Sequence, residues 1–199
     1  YATGINKISD VLKWCKEEGV HMLTMWGFST DNFSRDNEEV STLFELFKIN
    51  LKKVIEGSNE DKKKVKVRFL GRTHLFPKEV QELIRIAENQ TKGNSEYQLN
   101  LLLAYGGREE ILDAVNALIR DGKANVDEKT FSNYLYTNGI PDPDLVIRTS
   151  GEQRLSGLLP WQATYSELYF VNKLWPDLSR EDFSAALQEY GRRMRRFGK

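Results

Sequence analysis

The sequence predicts an α/β fold, a mostly parallel central sheet flanked by helices, and three observations carry that prediction. Gln98 to Ala104 is a nearly continuous apolar run, the pattern of a strand covered on both faces. An amphipathic stretch from Ile5 to Gly19 feeds directly into an apolar stretch from Val20 to Phe28, which is helix followed by strand. Leu145 to Ile147 is a short apolar run behind Pro141 and Pro143 that empties into a polar, arginine-bearing loop. Strands that alternate with helices pair in parallel.

The remaining segments fit the same rhythm. Ile8, Val11, Leu12 and Cys15 recur at helical spacing, with Gly19 as the stop. Glu39 to Ile55 carries an apolar stripe of Val40, Leu43, Phe44, Leu46, Phe47, Leu51, Val54 and Ile55, too wide for a coiled-coil seam and suited to core packing. Lys62, Lys63 and Lys64 read as a solvated connection. Val65 to Leu70 is a strand that turns at Gly71 and Arg72, and Pro77 to Asn89 is a helix with proline near its first turn. Glu109 to Arg120 is a helix ending near Gly122, Asp127 to Leu135 a shorter one, and Arg180 to Met194 a helix capped by Ser179.

At 199 residues the chain is expected to form a single domain spanning 1–199, burying roughly 70% of its unfolded surface. Basic and acidic residues number 29 each, so no overall field draws nucleic acid or an anionic membrane, and anion recognition has to be local. The lone Cys15 cannot form an internal disulfide, and His21 and His74 add no zinc cluster. A reducing, cytoplasmic setting is expected, and no apolar run reaches the length of a membrane span.

Chemistry concentrates after Leu145. From Arg148 to Gly157 come two arginines, two serines, a threonine and two glycines. In an open parallel sheet the loops at the carboxyl ends of strands form the ligand crevice. Arg148 and Arg154 there suit phosphate, because a guanidinium donates two parallel charge-assisted hydrogen bonds. Ser156 adds a hydroxyl, and Gly151 and Gly157 allow close backbone approach. Trp161, Tyr165, Tyr169 and Phe170 follow with one acid among them, Glu167. Glu167 is a candidate magnesium ligand, since that ion takes one or two carboxylates and completes its shell with water and phosphate oxygens. The plainer alternative is an ion pair from Glu167 to Arg148 or Arg154.

This stretch resembles the signature of the cis-prenyltransferases, the family of the undecaprenyl and dehydrodolichyl diphosphate synthases. The matching residues are Arg148-Thr-Ser-Gly-Glu-Gln-Arg154-Leu-Ser156, Trp161-Gln162 and Tyr165-Ser-Glu167-Leu-Tyr-Phe170, with Pro160 where many members carry leucine. The family's Phe-Ser-x-x-Asn-Trp-x-Arg-Pro-x-x-Glu-Val motif is matched from Phe28 to Val40, with Phe33 for tryptophan and Asp36 for proline. Tyr105-Gly106-Gly107-Arg108 matches as well, with Ala104 where asparagine is usual.

The resemblance implies an enzyme that condenses isopentenyl diphosphate onto an allylic prenyl diphosphate with Mg2+, making a long Z-polyprenyl diphosphate that serves as a sugar-carrier lipid precursor. Arg148, Arg154 and Ser156 would hold isopentenyl diphosphate and Glu167 the metal. Ser29, Asn32, Phe33 and Arg35 would serve the allylic side, with Asn32 and Arg35 closest to catalysis. Read from the residues alone, Ser29 and Asn32 are turn or cap residues, and Arg35 with Glu39 is an exposed helical pair. Leu43, Phe44 and Phe47 would contact lipid in an apolar tunnel between sheet and helices.

Arg196 and Gly198 match an Arg-x-Gly element that completes the partner's site, which implies a homodimer, with peripheral membrane contact for product release. The family's Asp-Gly-Asn-x-Arg segment does not occur in this sequence, which opens at Tyr1-Ala-Thr-Gly4. The expectation is that the natural protein carries that segment ahead of Tyr1 and that a chain without it is inactive alone. The alternative is a non-catalytic partner subunit of a heteromeric enzyme.

Overall fold

The computed structural model describes residues 2–57 and 64–193. The chain organises into two compact units, one running from Gly19 to Gly106 and the other comprising Ala2–Glu18 and the chain from Gly107 onward. Lys62, Lys63, Arg196 and Gly198 lie outside the described residues.

In the first unit, β1 (Met22–Ser29), β2 (Val65–Leu70) and β3 (Tyr97–Tyr105) form a parallel sheet in the order β1-β3-β2. β3 takes the central place because its apolar run can be buried on both sides, and Leu102, Ala104 and Tyr105 are fully buried. A polar break in that run, Asn100, is also fully buried, and it is satisfied by Gln98 Nε2 (2.7 Å) and Thr24 Oγ1 (3.0 Å). α3 (Lys78–Thr91), whose N-cap is Pro77, lies along β2. Its Thr91 Oγ1 and Glu88 Oε1 accept the N–H groups of Val67 (3.1 Å) and Phe69 (2.9 Å), which blunts the sheet edge.

α2 (Asn37–Ile55) packs on α3, starting from Asp36, whose carboxylate caps the Glu38 N–H at 2.8 Å. Asp36 thus starts the helix by side-chain capping where the family's proline would do so by its fixed φ. The stripe on α2 does what a wide stripe predicts: Leu43 and Leu51 are buried with Phe28, Phe76, Val80 and Ile84, and Phe44 and Phe47 pack against that cluster.

In the second unit, β4 (Leu145–Arg148) and β5 (Glu167–Phe170) pair in parallel. The hydrophobic pattern does not separate β5, since Glu-Leu-Tyr-Phe is too short to show a period. The same unit holds α1 (Ala2–Glu17), α4 (Gly107–Arg120), the short α5 (Glu128–Ser132) and α6 (Arg180–Arg192). Ala114 and Leu118 of α4 meet Phe131 and Leu135 in a second core. Ser179 and Asp182 form the capping box that opens α6. Every strand pair is parallel, as the alternating pattern predicts, but the strands fall into two ladders. Among the described residues no helix is long and apolar enough to cross a membrane.

Candidate active site

In parallel strands all carboxyl ends lie along one edge, so the first unit gathers the segments after Ser29, Leu70 and Tyr105 there. Ser29 ends β1 and caps a 3-10 turn over Thr30–Ser34, with its N–H donating to Asn32 Oδ1 at 2.8 Å. Asn32 therefore has a structural task as a turn residue, whatever else its amide reaches. Phe33 packs edge-on against Phe28 at 4.9 Å between ring centroids and touches the Phe44 and Phe76 rings. Arg35 is exposed and donates to Glu39 Oε1 at 2.6 Å across one helical turn.

Nearby, Ala104 adopts φ 48°, in the left-handed region that asparagine tolerates better than alanine. Gly71 meets the same corner, at φ +126° with the Leu103 carbonyl oxygen 2.2 Å from where a Cβ would stand. Only glycine fits there.

In the second unit, Arg148 ends β4, half-buried, and its carbonyl accepts the Val171 N–H at 2.8 Å. The loop that follows is tied back at once, by Ser150 N–H to Lys173 O (2.6 Å) and Gly151 N–H to Val171 O (3.1 Å). Three non-glycine residues in it have positive φ: Ser150 (79°), Ser156 (52°) and Leu159 (44°). At roughly 1–2 kcal/mol each, that strain totals about 3–6 kcal/mol, which only a strongly determined surrounding can hold. Arg154 reaches out of the loop, largely exposed, and pairs with Glu152.

Beneath the loop, Gly157 and Pro160 lie directly on Gly107, the first residue of α4. A Cβ at Gly107 would stand 2.3 Å from both the Gly157 carbonyl oxygen and Pro160 Cδ. Trp161 packs at a tilt against Phe131, 4.4 Å between ring centroids, and donates to Ser132 Oγ at 3.2 Å, whereas Tyr165 is 74% exposed.

Glu167 opens β5 opposite Leu145, whereas Arg148 pairs with Phe170 at the other end of the ladder. With strands rising about 3.3 Å per residue, the two are roughly 10 Å apart, and alternation puts their side chains on opposite faces. Within one chain they do not meet. Glu167 instead accepts from Arg193 Nη1 at 2.9 Å, and the same guanidinium reaches the Leu168 carbonyl (2.9 Å) and Glu189 (3.2 Å). Glu167 first, then Glu189, pushes the Arg193 guanidinium to still higher pKa. Glu167 is thus ion-paired, but not with Arg148 or Arg154: its partner is Arg193, just past the end of α6, which no local spacing links to it. Among the described residues no group of three or more His, Cys, Asp and Glu side chains is placed for a metal. Glu167 fits magnesium only as a single carboxylate whose ion finds its other ligands in water and phosphate oxygens.

Comparison with known proteins finds relatives over nearly the whole chain. The family model of undecaprenyl diphosphate synthases, a prenyltransferase family, matches residues 1–198. The chain belongs to this family. Among similar members of the undecaprenyl diphosphate synthase family, one from Thermoplasma volcanium is 45% identical over all of this chain and 80% of its own length. It is named tritrans,polycis-undecaprenyl-diphosphate synthase, geranylgeranyl-diphosphate specific. An isoprenyl transferase from Thermus thermophilus is 45% identical over 98% of this chain and 78% of its own. The crystal structure of lavandulyl diphosphate synthase from Lavandula x intermedia, in complex with dimethylallyl diphosphate, superposes with a TM-score of 0.89 at 34% identity, covering 99% of this chain and 87% of that one.

Proposed function

We propose that this chain is a cis-prenyltransferase that joins isopentenyl diphosphate to an allylic prenyl diphosphate and repeats the step to build a long Z-polyprenyl diphosphate. The observation that carries the reading is the strained loop after β4, which presents Arg154 and Ser156 just beyond the β4-terminal Arg148. In the reaction the allylic carbon–oxygen bond breaks and diphosphate leaves with the electron pair. The isopentenyl double bond forms the new carbon–carbon bond, and a proton is lost to restore a double bond. Negative charge grows on the departing diphosphate, and fixed cations aimed at it lower the barrier.

In this reading Arg148, Arg154 and Ser156 grip isopentenyl diphosphate, while Ser29, Asn32, Phe33 and Arg35 serve the allylic partner. Leu43, Phe44 and Phe47 face the growing lipid when it displaces part of their packing. Bound magnesium would neutralise diphosphate charge beside Glu167. Because Arg148 and Glu167 of one chain lie on opposite faces of the ladder, a site that uses both draws them from two copies, which favours a homodimer. Arg196 and Gly198 would complete the partner's site, and the product would leave at a membrane surface.

The test is incubation with radiolabelled isopentenyl diphosphate, farnesyl diphosphate and magnesium. It uses this chain and a form extended at its amino terminus with a relative's Asp-Gly-Asn-x-Arg segment. Label in elongated prenyl product supports the reading. No product from either form overturns it in favour of a non-catalytic partner subunit.

A further inference from the structure

The loop after β4 buries one charged or amide side chain, and that side chain touches none of the anion-binding candidates. Gln162 is 3% exposed, two residues beyond Pro160. Its Nε2 donates to Glu110 Oε1 (3.1 Å) and Oε2 (3.2 Å) and to Thr137 Oγ1 (2.8 Å). Glu110 is itself 1% exposed on the first turn of α4, and its Oε1 also accepts the Tyr136 N–H at 2.9 Å. One buried carboxylate thus binds together α4, the turn after α5 and the loop.

We propose that Glu110 and Gln162 are positioning residues for diphosphate binding: they lock the strained loop in the form that presents Arg154 and Ser156. The inference rests on the reading of that loop as the isopentenyl diphosphate site.

Three observations support it. First, the amide is oriented in a single sense. Gln162 Oε1 is buried with no hydrogen-bond partner, yet turning the amide over would bring that oxygen against the Glu110 carboxylate. A group that leaves a buried acceptor orphaned is a poor device for stability alone. Second, the network is joined to the strain. Leu159 and Ser156 hold left-handed conformations within six residues of Gln162, and backbone in such conformations relaxes unless something outside prevents it. Third, the contact below has no slack, since Gly157 and Pro160 sit on Gly107, three residues ahead of Glu110 on the same helix. A shift of α4 moves the loop, and a released Gln162 frees it.

The test compares affinity for isopentenyl diphosphate and for farnesyl diphosphate by titration calorimetry, with melting temperature alongside. In Gln162→Leu the dissociation constant for isopentenyl diphosphate rises roughly 10–100-fold, the range for losing a supporting residue, while that for farnesyl diphosphate changes less than about threefold. Glu110→Ala behaves alike, and Glu110→Gln, whose single amide oxygen can still accept from Gln162 and Tyr136, recovers part of the lost affinity. Unchanged isopentenyl diphosphate affinity despite a lower melting temperature would mean a purely structural network and overturns the proposal. Equal weakening of both ligands overturns it too. Should Gln162→Leu fail to fold, Thr137→Val makes the same comparison more gently, with a several-fold loss expected and wild-type affinity decisive against. Arg154→Ala is the control. If it binds isopentenyl diphosphate normally, the reading of the loop fails; if it binds weakly while Gln162→Leu binds normally, only the present inference does.

Discussion

Replacing Gly107 with alanine tests how tightly the loop after β4 is seated. The added Cβ would stand 2.3 Å from the Gly157 carbonyl oxygen and 2.3 Å from Pro160 Cδ, with Pro160 Cγ at 2.7 Å. Ordinary contact needs about 3.4 Å or more, so loop and helix must part by roughly 1 Å, and neither a carbonyl nor a proline ring can swing aside. Alanine is the better helix former, but by at most about 1 kcal/mol even in a helix interior, and Gly107 is the first residue of α4. Overpacking costs about 1–3 kcal/mol, so the steric term wins. The melting temperature should fall by roughly 2–12 °C. The functional cost should be larger, since a 1 Å misplacement at a site can cost on the order of 100-fold. Differential scanning calorimetry and isopentenyl diphosphate titration read the two effects. An unchanged melting temperature together with wild-type affinity would refute the close seating and the argument built on it.

Other expectations follow from single contacts. Arg35→Ala removes the exposed pair with Glu39, so stability should change by less than about 1 kcal/mol in chemical denaturation, while affinity for farnesyl diphosphate drops; Glu39→Gln, which breaks the same pair, should leave that affinity near normal. Lys173 first, then the Ser179 N–H and hydroxyl, hold Asp182 down to about 2, below the ordinary carboxylate value. The stability this confers is complete at neutral pH and is lost as pH falls from about 4 toward 2, so acid-unfolding curves of Asp182→Asn should be shallower there. Burial pushes the Cys15 thiol up to about 11, so a colourimetric thiol reagent at pH 8 should react with it only after denaturation.

Sequence reasoning read most of the fold because its signals are local. The run from Gln98 to Ala104 became the central strand β3, and Ser179 caps α6 as its residue type suggests. Two other elements needed information from afar. β5 is four residues long and is a strand because β4 lies beside it, a fact no window around Glu167 contains. The helix expected from Asp127 to Leu135 stops at Ser132, where the chain turns to bring the Tyr136 N–H to Glu110.

The site was legible in composition and less so in geometry. The arginines and Ser156 do lie at and beyond a strand end, but Glu167 faces away from Arg148 and pairs with Arg193, a contact spanning the length of α6. Gln162 and Glu110 were missed as a pair because a glutamine beside a tryptophan and a glutamate on a helix look solvent-facing one by one. The visible hint was a glutamate in the first turn of α4 within two helical turns of the core residues Ala114 and Leu118.

The most direct measurement of the central claim is titration of isopentenyl diphosphate into the chain and into Arg148→Ala and Arg154→Ala. Each guanidinium should contribute charge-assisted hydrogen bonds worth roughly 1.5–3 kcal/mol, so each variant should bind about 10–150-fold more weakly while melting close to the parent temperature. Parent-like affinity in both variants would contradict the assignment of the loop to diphosphate binding.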